Sequence, residues 1–210
     1  MTKKEKAVNA VEVLKNLYPE AVCSLDHGKD PFRLLIMAIL SAQCTDARVN
    51  IVSRELFAAY PTAKAMAKAE IEDLERLIHS VGLYRSKAKN IKGTAVRLCE
   101  AYGSEIPQEM KELLSLDGVG RKVANLVRGD LFGLGGIVAD THCIRISARL
   151  GLVNKTTPIE VERQLDKLIP VEEQSDFCHR MVLFGREYCS AKKPRCSVCP
   201  FNALDFKCIL

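Results

Sequence analysis

The sequence predicts an all-α fold, and three observations predict it. Apolar residues recur at helical spacing along most of the chain. Prolines and glycines fall where helices would start and stop. Only Gly136–Ala139 (GIVA) has strand-like composition, and it is too short to form a sheet. Val8, Val11, Leu14 and Leu17 make an apolar stripe that Pro19 ends. Asp30 and Pro31 read as N-cap and first residue of a buried helix running through Gln43. The next helix follows Thr45, carries Val49, Val52, Leu56 and Phe57, and stops at Pro61. Ile71, Leu74, Leu77 and Ile78 mark a short helix ended by Gly82. Segments 85–101, 108–115, 121–132, 141–150, 158–169 and 174–187 also read as helices. Pro107 and Pro158 suit starts, and Gly103, Gly133 and Gly151 suit ends.

The 210 residues suffice for one large domain or two small ones with real cores. A formal net charge of +5 favours an anionic partner without identifying it. Tryptophan is absent, so large aromatic platforms for stacking bases are not expected. The longest apolar run, Leu34–Leu40, is too short for a bilayer, which needs ~20 residues. The N-terminus carries no apolar signal core. The expected location is therefore cytoplasmic, nucleoid-associated in a bacterium or archaeon, and nuclear or organellar in a eukaryote; a monomer is expected.

Residues 113–123 read LLSLDGVGRKV. One apolar helix ends near Leu116 and a second begins near Gly120. Gly118 and Gly120 let the connection turn with positive φ and let another backbone approach closely. The second helix offers free N–H groups and the positive end of its dipole, and Arg121 adds charge, so the hairpin suits a phosphate. A bare GxG would be an ordinary turn; the whole string between two apolar helices points to a sequence-independent grip on DNA.

Lys122 lies in the first turn of that second helix, beside Arg121. A cation is disfavoured at a helix N-terminus and next to a like charge, and partial burial would add to the effect. All three favour the neutral amine, a nucleophile able to form Schiff bases; the plainer role is one more phosphate contact. Asp140 reads as the N-cap of the 141–150 helix, and its carboxylate can also face a cleft and assist charge or proton movement. His142 reads as a structural or phosphate-contacting residue.

Nine cysteines in a reducing compartment point to metal where they cluster. Cys23, Cys44, Cys99, Cys143 and Cys178 are scattered among apolar neighbours and read as small buried hydrophobes. Cys189, Cys196, Cys199 and Cys208 follow the pattern C-x6-C-x2-C-x8-C. Four thiolates there suit a 4Fe–4S cluster or zinc, although zinc more often takes two close pairs. Lys192, Lys193 and Arg195 make the intervening loop a phosphate contact.

Taken together, LLIMAILSAQCTD (34–46), VGLYRSKAKNI (81–91), LDGVGRKVAN (116–125), VADTH (138–142) and the cysteine tail make the chain resemble the endonuclease III family over nearly its whole length. The resemblance implies a helix–hairpin–helix DNA glycosylase fold of two helical domains. One is a six-helix domain over 24–135; the other joins 1–23 to 136–210 and holds a 4Fe–4S cluster. It implies double-stranded DNA with a damaged base or abasic site as the partner, lying across the groove where Lys122 and Asp140 meet. It makes Lys122 the nucleophile at C1′, Asp140 its assistant, and Gln43 and Leu83 the residues that fill the space left by the displaced nucleotide. Oxidised pyrimidines such as thymine glycol would be excised and the strand nicked by β-elimination. The chain departs from the family in its last cysteine spacing, eight residues where five are usual. Three other readings compete. A mismatch-specific adenine glycosylase lacks the Schiff-base lysine. A non-catalytic hairpin module leaves Lys122 and Asp140 unexplained, and an iron–sulfur electron carrier leaves the hairpin unexplained.

Overall fold

A computed structural model describes residues 1–204, 206 and 208. It is helical throughout, with no strand among the described residues. No helix among them is long and apolar enough to cross a membrane. The chain forms two compact units, one of residues 24–131 and one joining 1–23 to 132–210.

The 24–131 unit contains α2 (Pro31–Leu40), α3 (Asp46–Ala59), α4 (Ala63–Ala67), α5 (Ile71–Ile78), α6 (Tyr84–Ala101), α7 (Met110–Leu113) and nearly all of α8 (Arg121–Phe132). Helix α2 starts as the sequence predicts, with Asp30 capping the Arg33 N–H at 3.1 Å and Pro31 at the first position. All its residues except Pro31 and Arg33 are buried, which makes it the central helix of the unit. Burying one such Leu or Ile contributes about 1.5–3 kcal/mol. The helix ends three residues before Gln43. Ser41 donates to the Met37 carbonyl, and the chain then turns through Gln43 at φ +53. The short helix α4 has no counterpart in the sequence reading. Thr62 caps it, and Ala63 and Met66 anchor it against α6.

The other unit contains α1 (Lys3–Leu17), α9 (Thr141–Arg149), α10 (Pro158–Asp166), α11 (Gln174–Glu187) and 3₁₀ turns at 171–173, 196–198 and 200–204. Its core packs α1 and α9 onto α11 through Leu14, Ile146, Phe177, Met181 and Phe184. The buried stripe of α1 is Ala7, Ala10, Val11 and Leu14; Val8, expected inside, is exposed. Small alanines let α1 approach its neighbours closely, and that rotates Val8 out of the face. Arg180 is buried and held by Glu173 (3.1 Å), Asp176 (2.8 Å) and the Tyr18 carbonyl (3.3 Å). Gly103, Gly133 and Gly151 all take positive φ, as helix-ending glycines do.

Candidate functional site

The hairpin is built by alternation. Leu113, Leu116 and Val119 are buried, while Asp117, Gly118 and Gly120 face solvent. Val119 donates to the Leu116 carbonyl at 3.2 Å, and Thr94 on α6 donates to the Asp117 carbonyl at 2.8 Å. The two glycines divide the needs that the sequence assigned to them jointly. Gly118 has φ +75, and a Cβ there would lie 2.8–3.1 Å from the Asn90 side chain. Gly120 has no positive φ, and a Cβ there would meet nothing within 4 Å. No contact inside the chain requires glycine at 120. What it leaves is open space over the first turn of α8, where N–H groups and the helix dipole favour an anion. Glycine at 93 is explained by the fold: a side chain there would collide with the Asp117 carboxylate.

Lys122 and Arg121 stand on that first turn, both exposed. Partial burial therefore adds nothing to the position of Lys122 on the first turn. Asp140, in the other unit, is half-buried and caps α9, accepting from the Cys143 N–H at 2.7 Å. The segment leading to it is extended rather than a strand. Gln174 accepts from the Gly136 N–H (2.8 Å), and the Cys178 sulfur accepts from the Val138 N–H (3.2 Å). Neither anchor was legible in the sequence, since both lie about forty residues away. His142 packs against α11, where a side chain at Gly185 would strike its ring, and its Nδ1 lies 3.2 Å from Arg145.

Gln43 and Leu83 share an unusual trait. Both are exposed non-glycine residues held at positive φ, +53 and +59. Their loops are neighbours, since a Cβ at Gly82 would lie 3.7 Å from the Gln43 carbonyl. Backbone held in a sparsely populated region costs about 1–3 kcal/mol and is concentrated at functional positions. One turn below Leu83, the ammonium of Lys87 is buried without a hydrogen-bond partner among the described residues. Burial pushes this amine below the usual lysine range, against the opposing pull of Cys44.

The four tail cysteines line one pocket with Ile146, Arg149, Phe184 and Tyr188, and all four are free thiols. Burial raises the Cys199 thiol against a backbone hydrogen bond from Phe201, with Cys189 and Cys196 adding to it; burial raises Cys208, with the other three tail cysteines adding to it. The long last loop returns because its aromatics are anchored. Phe201 packs edge-on against Phe184 and Phe206 against Phe201, each pair 5.1 Å apart. Phe206 is buried two residues before Cys208, so the eight-residue spacing still brings the fourth thiol to the others. Two arginines that the sequence did not single out hold Cys189. Arg145 donates to the Cys189 carbonyl at 2.9 Å; Arg149 donates to the Cys189 sulfur at 3.3 Å and the Ser190 carbonyl at 2.8 Å. Lys193 and Arg195 are exposed on the loop, and Arg195 stacks over Tyr188 at 5.7 Å. Of the scattered cysteines only Cys143 and Cys178 are buried; Cys23, Cys44 and Cys99 are half-buried.

Residues 36–171 match the HhH-GPD superfamily of base excision DNA repair proteins. Endonuclease III of Synechocystis sp. is 48% identical over 199 residues, covering 94% of this chain and 90% of that one. Endonuclease III of Bacillus subtilis is 43% identical over 92% of this chain and 89% of its own. The fold superposes with a TM-score of 0.90 on a trapped endonuclease III–DNA covalent intermediate, at 43% identity over 97% of this chain and 96% of that one. The chain therefore belongs to the endonuclease III family of HhH-GPD base excision DNA repair enzymes.

Proposed function

We propose that this enzyme excises oxidised pyrimidines from double-stranded DNA and nicks the resulting abasic site through a Schiff base on Lys122. The observation that carries the reading is the pairing of an open, glycine-floored helix N-terminus with an exposed lysine on its first turn. The hairpin grips a phosphate of the damaged strand, which sets Lys122 beside the sugar. The 43% identical relative trapped as a covalent intermediate with DNA supports a covalent route.

Lys122 Nζ attacks C1′, the N-glycosidic bond breaks, and the base leaves with a proton. Ring opening gives the iminium, loss of a C2′ proton expels the 3′ phosphate, and hydrolysis returns the free lysine. Asp140 stabilises the cationic sugar as the base departs and relays protons. Gln43 and Leu83 enter the gap left by the extruded nucleotide; unstacking costs a few kcal/mol and less for a damaged base. Their backbone conformation aims the two side chains outward, which leaves only side-chain ordering to be met on binding. Arg121, His142, Lys193 and Arg195 contact phosphates.

Cys189, Cys196, Cys199 and Cys208 fit a 4Fe–4S cluster, being four free thiols that line one pocket. Bound there, the cluster would hold the Lys192–Arg195 loop in a fixed shape. The test is borohydride trapping on a duplex with one thymine glycol. Wild type should give a covalent adduct, and Lys122→Gln none while still binding the duplex. No wild-type adduct despite tight binding would overturn the mechanism.

A further inference from the structure

We propose that a pocket at the start of α2, remote from the hairpin, binds a protonated phosphate group. The pocket holds about 390 Å³ and is lined by Asp26, Gly28, Arg33, Asn50, Ser53, Arg54 and Phe57. It lies at the opposite end of α2 from Gln43, and ten residues at ~1.5 Å each place the two ends about 15 Å apart. The inference stands apart from the repair chemistry.

Two buried donors in this pocket make no hydrogen bond among the described residues, and an exposed guanidinium beside them is unpaired. Ser53 is 3% exposed and its hydroxyl has no hydrogen-bond partner among the described residues. Arg33 forms an ion pair with Asp30 at 3.6 Å, but its buried Nε makes no hydrogen bond among the described residues. Arg54 makes no ion pair among the described residues. A buried polar group left unmatched is costly, and each such group calls for an explanation. Phe57 supports the Arg33 guanidinium at 5.3 Å. Asn50 ties the pocket wall to α3, accepting from the Asp26 N–H (3.0 Å) and donating to the Ser24 carbonyl (2.9 Å). Two guanidinium groups and a hydroxyl suit an oxyanion.

Asp26 sets the selectivity. Its carboxylate repels an anion unless that anion carries a proton to donate. Inorganic phosphate keeps at least one proton near neutral pH, a monoester with its second pKa at about 6 keeps one in a minority of molecules, and sulfate keeps none. The pocket therefore takes hydrogen phosphate or a terminal phosphate monoester of a nucleotide chain, and rejects sulfate.

The experiment is calorimetric titration of the whole protein with inorganic phosphate and with sulfate, near neutral pH at matched ionic strength. Phosphate should bind saturably and sulfate at least about tenfold more weakly, a gap of about 1.4 kcal/mol. Ser53→Ala and Arg54→Gln should each weaken phosphate about tenfold while strand nicking in phosphate-free buffer is unchanged. Asp26→Asn should let sulfate in. Arg54 is exposed, so its variant tests the site even if Ser53→Ala folds poorly. Duplexes ending in a 5′ phosphate or a 5′ hydroxyl identify the source. A preference for the phosphate end that Arg54→Gln removes assigns the group to DNA; equal affinity with inorganic phosphate bound assigns it to free phosphate. Absence of saturable phosphate binding, equal binding of sulfate, or full binding by both variants would overturn the proposal.

Discussion

The hairpin glycines make opposite predictions from one substitution. Alanine at 118 must adopt φ +75, which costs an L-residue about 1–2 kcal/mol. Its Cβ would also sit 2.9 Å from Asn90 Cβ, which a rotamer change cannot relieve because that atom rides on the α6 backbone. Overpacking of this kind costs about 1–3 kcal/mol, so Gly118→Ala should lose about 2–5 kcal/mol of stability. Alanine at 120 meets neither obstacle and should shift stability by less than about 0.5 kcal/mol. Its methyl would instead occupy the space through which a phosphate reaches the α8 N–H groups. A hydrogen bond to a charged group is worth about 1.5–3 kcal/mol, so abasic-duplex affinity should fall roughly 10- to 100-fold. Urea denaturation and duplex binding at one fixed salt concentration measure both. Wild-type affinity in Gly120→Ala would refute the phosphate role, and wild-type stability in Gly118→Ala would refute the strain argument.

Three further outcomes are expected. Asp140→Asn keeps an oxygen for the Cys143 N–H and should leave stability within about 1 kcal/mol while nicking activity collapses; Asp140→Ala should add a cap loss of about 0.5–2 kcal/mol, read by denaturation. Lys87 titrates below the lysine range in the folded state, so its burial penalty is full at neutral pH and is relieved as pH rises from the folded pKa toward the unfolded one. Lys87→Met should therefore stabilise by about 1–3 kcal/mol near neutrality and by less near pH ~10.5; an equal gain at both would contradict the assignment. Arg149→Met strips a donor from the Cys189 sulfur and the Ser190 carbonyl, and purified protein should carry less iron per chain and a weaker visible absorption band than wild type.

What the sequence by itself determined was local. Asp30–Pro31, Thr45 and Asp140 are caps whose partners lie three residues away, and the helices they open stand where their periodicity puts them. The hairpin and the cysteine tail were legible for the same reason, since their chemistry is written in short spacings. Tertiary structure decided what depends on distant neighbours. Val8 is outside because alanines bring α1 close to its partners, and α2 stops short of Gln43 because the chain needs a left-handed turn there. The division of labour between Gly118 and Gly120 follows from Asn90 on another helix. Cys208 reaches its fellow thiols because Phe201 and Phe206 bury themselves on Phe184, and Cys189 is held by arginines some forty residues upstream. A helical period reports which face is apolar; it carries no record of what that face will meet.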